Sequence, residues 1–325
     1  MDHASSRARK GSELPPARPK VLEFIAAATA SNTRRAYDSD IAHFIGWGGT
    51  IPSAAEAVAA YIAAHAKTLA VATLARRIVA IRRVHVLRGL SDPTKAEIIS
   101  LTLRGVRRLH GRPQGRVAPL KVGHLCRIVA RLDGSIRDVR DRALLLIGFA
   151  GAFRRSELTA INCDWIKPRE QGVEITLPRS KTDQQGTGRH IAIPRVGGPL
   201  CPVAALEAWL QVAKITDGPL FRRVDKSSKI FAGPLSSAAV ATIVKQRTVQ
   251  IGLNPKEYSG HSLRAGFATC GAAAGLSAWT IKRQTGHASD AVLGRYIREP
   301  DTFRALTTVW NGGGVPLLTE RPSGS

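Results

Sequence analysis

The sequence predicts a mainly α-helical protein with a small β-sheet, built as an N-terminal helical domain and a larger α+β domain. Three observations predict it. Apolar residues recur at helical spacing from Val21 to Leu109. The period changes to two over 172–177 and 189–193, as half-buried strands require. Between helical stretches, His110-Gly111-Arg112-Pro113-Gln114-Gly115-Arg116 breaks all periodicity with Gly and Pro, and reads as a basic interdomain linker. At 325 residues the chain also exceeds one average domain.

Residues 1–17 are polar, basic and Pro-containing, and read as a disordered tail. The helical domain spans 18–109. Ser31-Asn32-Thr33 offers N-caps ahead of Tyr37, Ile41, Phe44 and Ile45. Ser53 caps a second helix with Val58, Tyr61 and Ile62 inward. Thr68 or Thr73 starts a third, with Leu74, Ile78, Ile81 and Leu87 on one face and Arg76, Arg77, Arg82 and Arg83 on the others. Thr94 opens a fourth, which ends in Arg104, Arg107 and Arg108. The linker occupies 110–118 and the second domain 119–311. There, 121–132 and 136–151 read as helices, the latter buried through Leu144, Leu145, Leu146, Ile147 and Phe149. The two strands are joined by a turn holding Gly186 and Gly188. Helices return at 202–214, 236–251, 262–274, 277–284 and 289–296. Phe303, Leu306, Val309 and Trp310 then form one apolar stripe, and 312–325 is a flexible tail.

Lys and Arg outnumber Asp and Glu by 48 to 24, a formal net charge of +24. Such an excess attracts polyanions, nucleic acid first among them, and the arginines recur along both halves as a protein lying on a duplex needs. Cys126, Cys163, Cys201 and Cys270 form no C-x-x-C pair and read as reduced core residues. No run of 18 apolar residues suggests a membrane span, and Met1-Asp2-His3 opens no apolar signal core. The expected location is therefore the cytoplasm, with the DNA.

The residues that carry chemistry are Arg154, Glu157, Lys181, His261, Arg264, His287 and Tyr296. Phosphodiester transfer builds charge on the non-bridging oxygens, and fixed cations are the main means of stabilising it. Arginine suits this because its planar fork binds two oxygens and keeps its charge. Arg154, read as the end of the buried helix, and Arg264 are the candidates, with Glu157 placed to hold a neighbouring cation or imidazole. His261 and Arg264 share one helical face at i, i+3. H-x-x-R alone arises often by chance. A zinc site on His261 and His287 lacks a third ligand at metal-like spacing, so proton transfer or oxyanion contact is the better use of these imidazoles. Tyr296, flanked by Arg295 and Arg298, is the candidate nucleophile. A phenol with an ordinary pKa of about 10 needs such a cationic field to attack at neutral pH. Lys181, in the turn between the strands, can protonate a leaving 5′ oxygen.

These residues resemble one family, the tyrosine site-specific recombinases or phage-type integrases, over nearly the whole chain. Gly151-Ala152-Phe153-Arg154-Arg155-Ser156-Glu157-Leu158 is similar to the family's first arginine motif, G-x-x-R-x-S-E-L, whose register selects Arg154. His261-Ser262-Leu263-Arg264 matches H-x-L-R, Thr285-Gly286-His287 matches the L-G-H box, and Tyr296 follows His287 by nine positions, the family spacing. Lys181 falls where the β-hairpin lysine is expected. Ser31-Asn32-Thr33-Arg34-Arg35-Ala36-Tyr37 resembles the opening of the family's SAM-like core-binding domain. The chain departs from the pattern at Ala265, where many members carry a second histidine, and at Arg155, which is usually apolar. The two domains look like those of the simpler, Cre-like members.

The resemblance implies double-stranded DNA as partner, with a homotetramer on two recombination sites and two-domain clamps around each half-site. It implies a 3′-phosphotyrosyl intermediate on Tyr296, strand exchange through a Holliday junction, and no cofactor, metal or ATP. A bacterial or phage host, a nucleoid-associated setting and a C-terminal stripe docked into a neighbouring protomer follow from it too, while the stripe by itself also fits a final helix folded back on its own domain and a directionality partner stays open. For DNA contact the expected residues are Arg76, Arg77, Arg82 and Arg83 on the third helix, with Arg107, Arg108, Arg112 and Arg116. Two alternatives stand beside it: type IB topoisomerase relaxation, which uses similar residues, and a catalytically silent DNA-binding regulator, against which the intact residue set speaks.

Overall fold

A computed structural model describes Phe24 and residues 29–111, 117–178 and 188–286. The chain divides into two compact units, Met1–Gln114 and Gly115–Ser325.

In the first unit α1 spans Ser31–Gly46, α2 Ala55–Ala64, α3 Val71–Leu87 and α4 Glu97–His110. Phe44, Val58, Tyr61, Ile62, Leu74, Ile81, Ile99 and Val106 form its core. The helix starts differ from expectation. Alanines 30, 54, 70 and 96 occupy the N-cap positions with no capping side chain, so Ser31, Ser53, Thr68 and Thr73 do not cap. The Ser53 N–H instead donates to Nε2 of the buried His85, 2.9 Å away, whose Nδ1 donates to the Ile81 carbonyl. Thr94 lies in a 3-10 turn, Pro93–Lys95, capped by Asp92, and α4 opens after it. Two expected core residues face outward: Ile45 is 52% and Leu87 55% exposed. Each lies beside or two residues from a fully buried neighbour, Phe44 and His85, and so falls on the opposite side of its helix.

In the second unit α5 is Val122–Val129, α6 Ile136–Ala150 and α7 Arg155–Ala160. The strands β1 Ile166–Arg169, β2 Gly172–Leu177 and β3 Arg189–Pro194 form an antiparallel sheet in that order. Next come α8 Pro202–Ala213, the hairpin β4 Arg222–Val224 and β5 Ile230–Pro234, α9 Ser237–Gln250, α10 His261–Ala273 and α11 Ala278–Thr285. The expected β2 and β3 are present in register, with Ile175 opposite Ile191 and Val173 opposite Ile193, all buried. β1, α7 and the β4–β5 hairpin are additions: each is three to six residues long, too short to establish a period, and Pro168 and Pro234 mask two of them.

α6 is the central helix, with Leu144, Leu145 and Ile147 fully buried. Arg247 of α9 donates to Asp138 and Asp141 on α6, and Arg140 donates to Asp141, so these charges are buried as a paired cluster. Gly148 lets α10 and α7 approach α6: a Cβ there would lie 2.8 Å from Leu263 Cδ1 and 3.0 Å from Leu158 Cδ2. The start of α10 is anchored by the Leu120 N–H donating to the Ser262 carbonyl at 2.9 Å. No helix among the described residues is long and apolar enough to cross a membrane.

Candidate active site

α6 stops at Ala150, within one residue of the expected end, and Arg154 lies just beyond it. Gly151, Ala152 and Phe153 make a turn, and Arg154 becomes the N-cap residue of α7. Ala152 has φ +48°, a left-handed conformation that costs a non-glycine residue roughly 1–2 kcal/mol. The turn aims the Ala152 carbonyl at Arg264 Nη1, 3.0 Å away. Strain is thus held where two sequence-distant arginines are brought to one place.

Glu157, three residues into α7, secures Arg154 twice. Its Oε2 accepts the Arg154 backbone N–H at 2.8 Å, and its Oε1 accepts from Nη1 at 2.6 Å. Arg154 Nη2 donates to the Gly286 carbonyl at 3.0 Å. Arg264, on α10, is 1% exposed and donates from Nη1 to the Thr285 carbonyl as well as to Ala152. Arg154 and Arg264 therefore converge on adjacent carbonyls at the C-terminus of α11, the negative end of that helix. The last turn of α11 is itself fixed by Gln284 Nε2, which donates to the carbonyls of Ala150 at 2.8 Å and Ala192 at 2.9 Å.

His261 opens α10, with Arg264 one turn on as the i, i+3 spacing requires. Burial first, then the guanidinium groups of Arg264, Arg154 and Arg155, pushes its imidazole below its ordinary pKa. The ring is neutral at neutral pH, fit to accept a proton. Arg155 is exposed and lies against Gly260, where a Cβ would meet its Cγ at 2.4 Å. Burial opposes ionisation of Glu157, but the charges of Arg189 and Arg154 and the Arg154 N–H outweigh it and hold this carboxyl below the usual range.

Arg189 is absent from the sequence-derived set. It is the first residue of β3, and its side chain is 11% exposed. It donates from Nη2 to Glu157 Oε2 at 3.0 Å and from Nη1 to the Thr285 carbonyl. A signal for it exists: 189, 191 and 193 share one strand face, and Ile191 and Ile193 point into the core, so the alternation aims Arg189 inward.

Of the other predicted residues, Lys181, His287, Tyr296, Arg112 and Arg116 lie outside the described residues, as do the 289–296 helix and the 303–310 stripe. In the first unit Arg77 does not face outward, as a DNA-reading residue of α3 is expected to do. It is 8% exposed and turned inward, donating to Tyr61 Oη at 2.6 Å, 2.8 Å from His43 Nδ1, and ion-paired with the buried Asp40. It faces the α1–α2 side of α3 because Asp40 needs a buried counter-charge. Arg76 grips the same carboxylate through two bonds of 2.7 and 2.9 Å with half its side chain exposed. Arg82 pairs with Asp92, and Arg83 lies over the Tyr37 ring. Arg107 and Arg108 are exposed on α4.

An apolar groove of about 490 Å³ opens between α5, α6, β3 and α11, with Leu125, Phe149, Ala192, Val196, Phe267 and Thr280 in its lining.

Residues 120–302 match the family model described as the phage integrase family. An integrase/recombinase xerD homolog from Selenomonas ruminantium is 37% identical over 304 residues, 90% of this chain and 89% of that protein. The recombinase cre of Escherichia phage P1 is 25% identical over 258 residues, 73% of each. Among solved structures, the Tn1549 transposon integrase in complex with transposon right end DNA superposes with a TM-score of 0.62 at 15% identity, covering 90% of this chain and 97% of that one. The XerH site-specific recombinase bound to palindromic difH substrate does so at 0.57 and 18% identity, covering 79% and 71%. At these identities the superpositions speak for the fold.

Proposed function

The chain belongs to the phage integrase family of tyrosine recombinases, and from that premise we propose that it cleaves and rejoins DNA at a specific site through a covalent link to Tyr296. The observation that carries the reading is the convergence of Arg154 and Arg264 on one helix end beside a neutral His261. Two fixed guanidiniums there face the non-bridging oxygens of a phosphodiester, whose charge rises in the transition state. His261 takes the phenolic proton as the Tyr296 oxygen attacks phosphorus. The bond from phosphorus to the 5′ oxygen breaks, and Lys181 protonates that oxygen as it leaves. His287, directly after the carbonyl that Arg154 holds, donates to the developing oxyanion. The phosphotyrosyl ester conserves the energy of the broken bond, so a 5′-hydroxyl from a partner strand reverses the step without ATP or metal. Four protomers on two sites exchange strands in pairs through a Holliday junction.

The apolar groove beside α11 supports that assembly. Its occupant in this reading is the Phe303, Leu306, Val309 and Trp310 stripe of a second copy, a head-to-tail contact that closes into a ring. Truncation after Pro300 then leaves half-site binding and abolishes cooperative binding. Wild-type cooperativity in the truncated protein assigns the stripe to its own groove instead.

A substrate nicked near the scissile phosphate traps the covalent step. Wild type accumulates a protein–DNA adduct, and Tyr296→Phe binds the same site without one. An adduct from Tyr296→Phe overturns the assignment. Relaxation of supercoiled plasmid lacking the site favours a topoisomerase, and binding without any wild-type adduct favours a silent regulator.

A further inference from the structure

We infer that Arg189 is a positioning residue for the cleavage step, tying the Thr285-Gly286 turn to Glu157 so that the phosphate-facing arginines are held in register. The inference rests on the recombinase reading above. Arg189 opens β3, and its fork spans two groups with different roles. Through Nη2 it holds Glu157 Oε2, the same oxygen that accepts the Arg154 backbone N–H. Through Nη1 it holds the Thr285 carbonyl, the same oxygen that Arg264 grips. One planar group therefore cross-links the anchors of both Arg154 and Arg264.

The turn itself is shaped around this side chain. Gly286 has φ +64°, and a Cβ there would lie 2.0 Å from Arg189 Nη1. Glycine at 286 satisfies the backbone conformation and clears space for the guanidinium at once. Arg189 acts through Glu157 and the turn, without itself facing the reacting atoms. A lysine keeps the charge but cannot span a carboxylate and a carbonyl together.

The test uses the full chain as wild type, Arg189→Lys, Gly286→Ala and the double variant. The probe is a half-site duplex selected from random DNA with wild type, carrying either oxygen or sulfur at the 5′-bridging position. Binding midpoint and the rate of adduct formation at saturating protein are read separately. Misplacement of about 1 Å costs on the order of 10²-fold, so each single variant forms adduct roughly 10²-fold more slowly with its binding midpoint within about twofold of wild type. The double variant is no slower than the slower single one, since both break the same contact. Sulfur does not restore the rate, because the defect lies at the non-bridging oxygens. A wild-type rate in either variant, a loss confined to binding, additive losses, or rescue by sulfur each overturn the inference. Should Arg189→Lys fail to fold, Gly286→Ala decides alone, since it keeps every hydrogen-bonding group. If wild type itself forms no adduct, the recombinase reading fails; if wild type does and the variants match it, only the role of Arg189 fails.

Discussion

Glu157→Gln changes a single charge and keeps the shape, so it isolates what the carboxylate contributes. Glu157 is 7% exposed and accepts three hydrogen bonds: from the Arg154 N–H, Arg154 Nη1 and Arg189 Nη2. Glutamine retains one side-chain oxygen and turns an amide donor toward a guanidinium. Two arginines, with side chains 23% and 11% exposed, then share no counter-charge. Removing one partner of a buried pair costs about 3–5 kcal/mol, and the partial exposure of Arg154 places this case near 3. For a unit of this size each kcal/mol lowers Tm by about 2–4 °C, so the expected loss is roughly 6–12 °C at pH 7. The pH dependence supplies a second check. Because the folded carboxyl titrates below its ordinary value of 4.5, its stabilisation is complete above that pH and fades as pH falls through the folded value. Glutamine does not titrate there. The stability gap measured by denaturant unfolding is therefore constant from about pH 8 to 5 and closes below about 4.5. An unchanged Tm at pH 7, or a gap that persists undiminished in acid, refutes the ion-pair account.

Three further outcomes follow from the same geometry. Arg264→Lys loses a donor from a site with 1% exposure and forms adduct about 10²–10³-fold more slowly while still binding DNA; wild-type cleavage refutes it. Lys181→Ala slows cleavage of an ordinary phosphodiester and regains rate with a 5′-bridging sulfur, which leaves without a proton; absence of selective rescue reduces Lys181 to DNA contact. The His261 imidazole, lowered by burial and three arginines, stays neutral until pH drops below its ordinary 6.5, so cleavage at saturating protein is flat from about pH 8 to 6.5 and the acid limb attributable to His261 lies below that. An acid limb above pH 7 that disappears in His261→Ala contradicts it.

What could be read from the chain follows from the range over which each signal acts. Periodic segments declare themselves: α6 carries consecutive buried leucines, and β2 and β3 alternate cleanly, so the bounds of all three are legible to within a residue or two. Arg154, His261 and Arg264 were legible because motif spacing fixes them along the sequence. What the spacing did not convey is the turn at Gly151–Phe153, since a left-handed alanine has no local signature and is stabilised by contacts made from α10. Helix starts depart from the capping pattern for a related reason. Serine and threonine favour caps, yet four helices of the first unit begin at alanines because packing fixes where the chain turns. On α3, arginines at adjacent positions look alike in sequence, and only the buried Asp40 on another helix tells Arg77 from Arg76.

Arg189 carries the same lesson into the site. In sequence it is one basic residue among 48, after a glycine and before a strand. Its significance arises from three partners distant in the chain: an acid on α7, a carbonyl ending α11, and a glycine that leaves room for it. In the proposed mechanism Arg154 and Arg264 face phosphate, yet their donors must also be satisfied when the protein folds without DNA. Backbone carbonyls at the end of α11 and the Glu157 carboxylate occupy their donors in the free protein. Each leaves part of its fork on a fixed scaffold, so docking a phosphate requires little reorganisation. In that mechanism the anchoring groups matter as much as the cations they hold, and they are the part that spacing in the sequence does not encode.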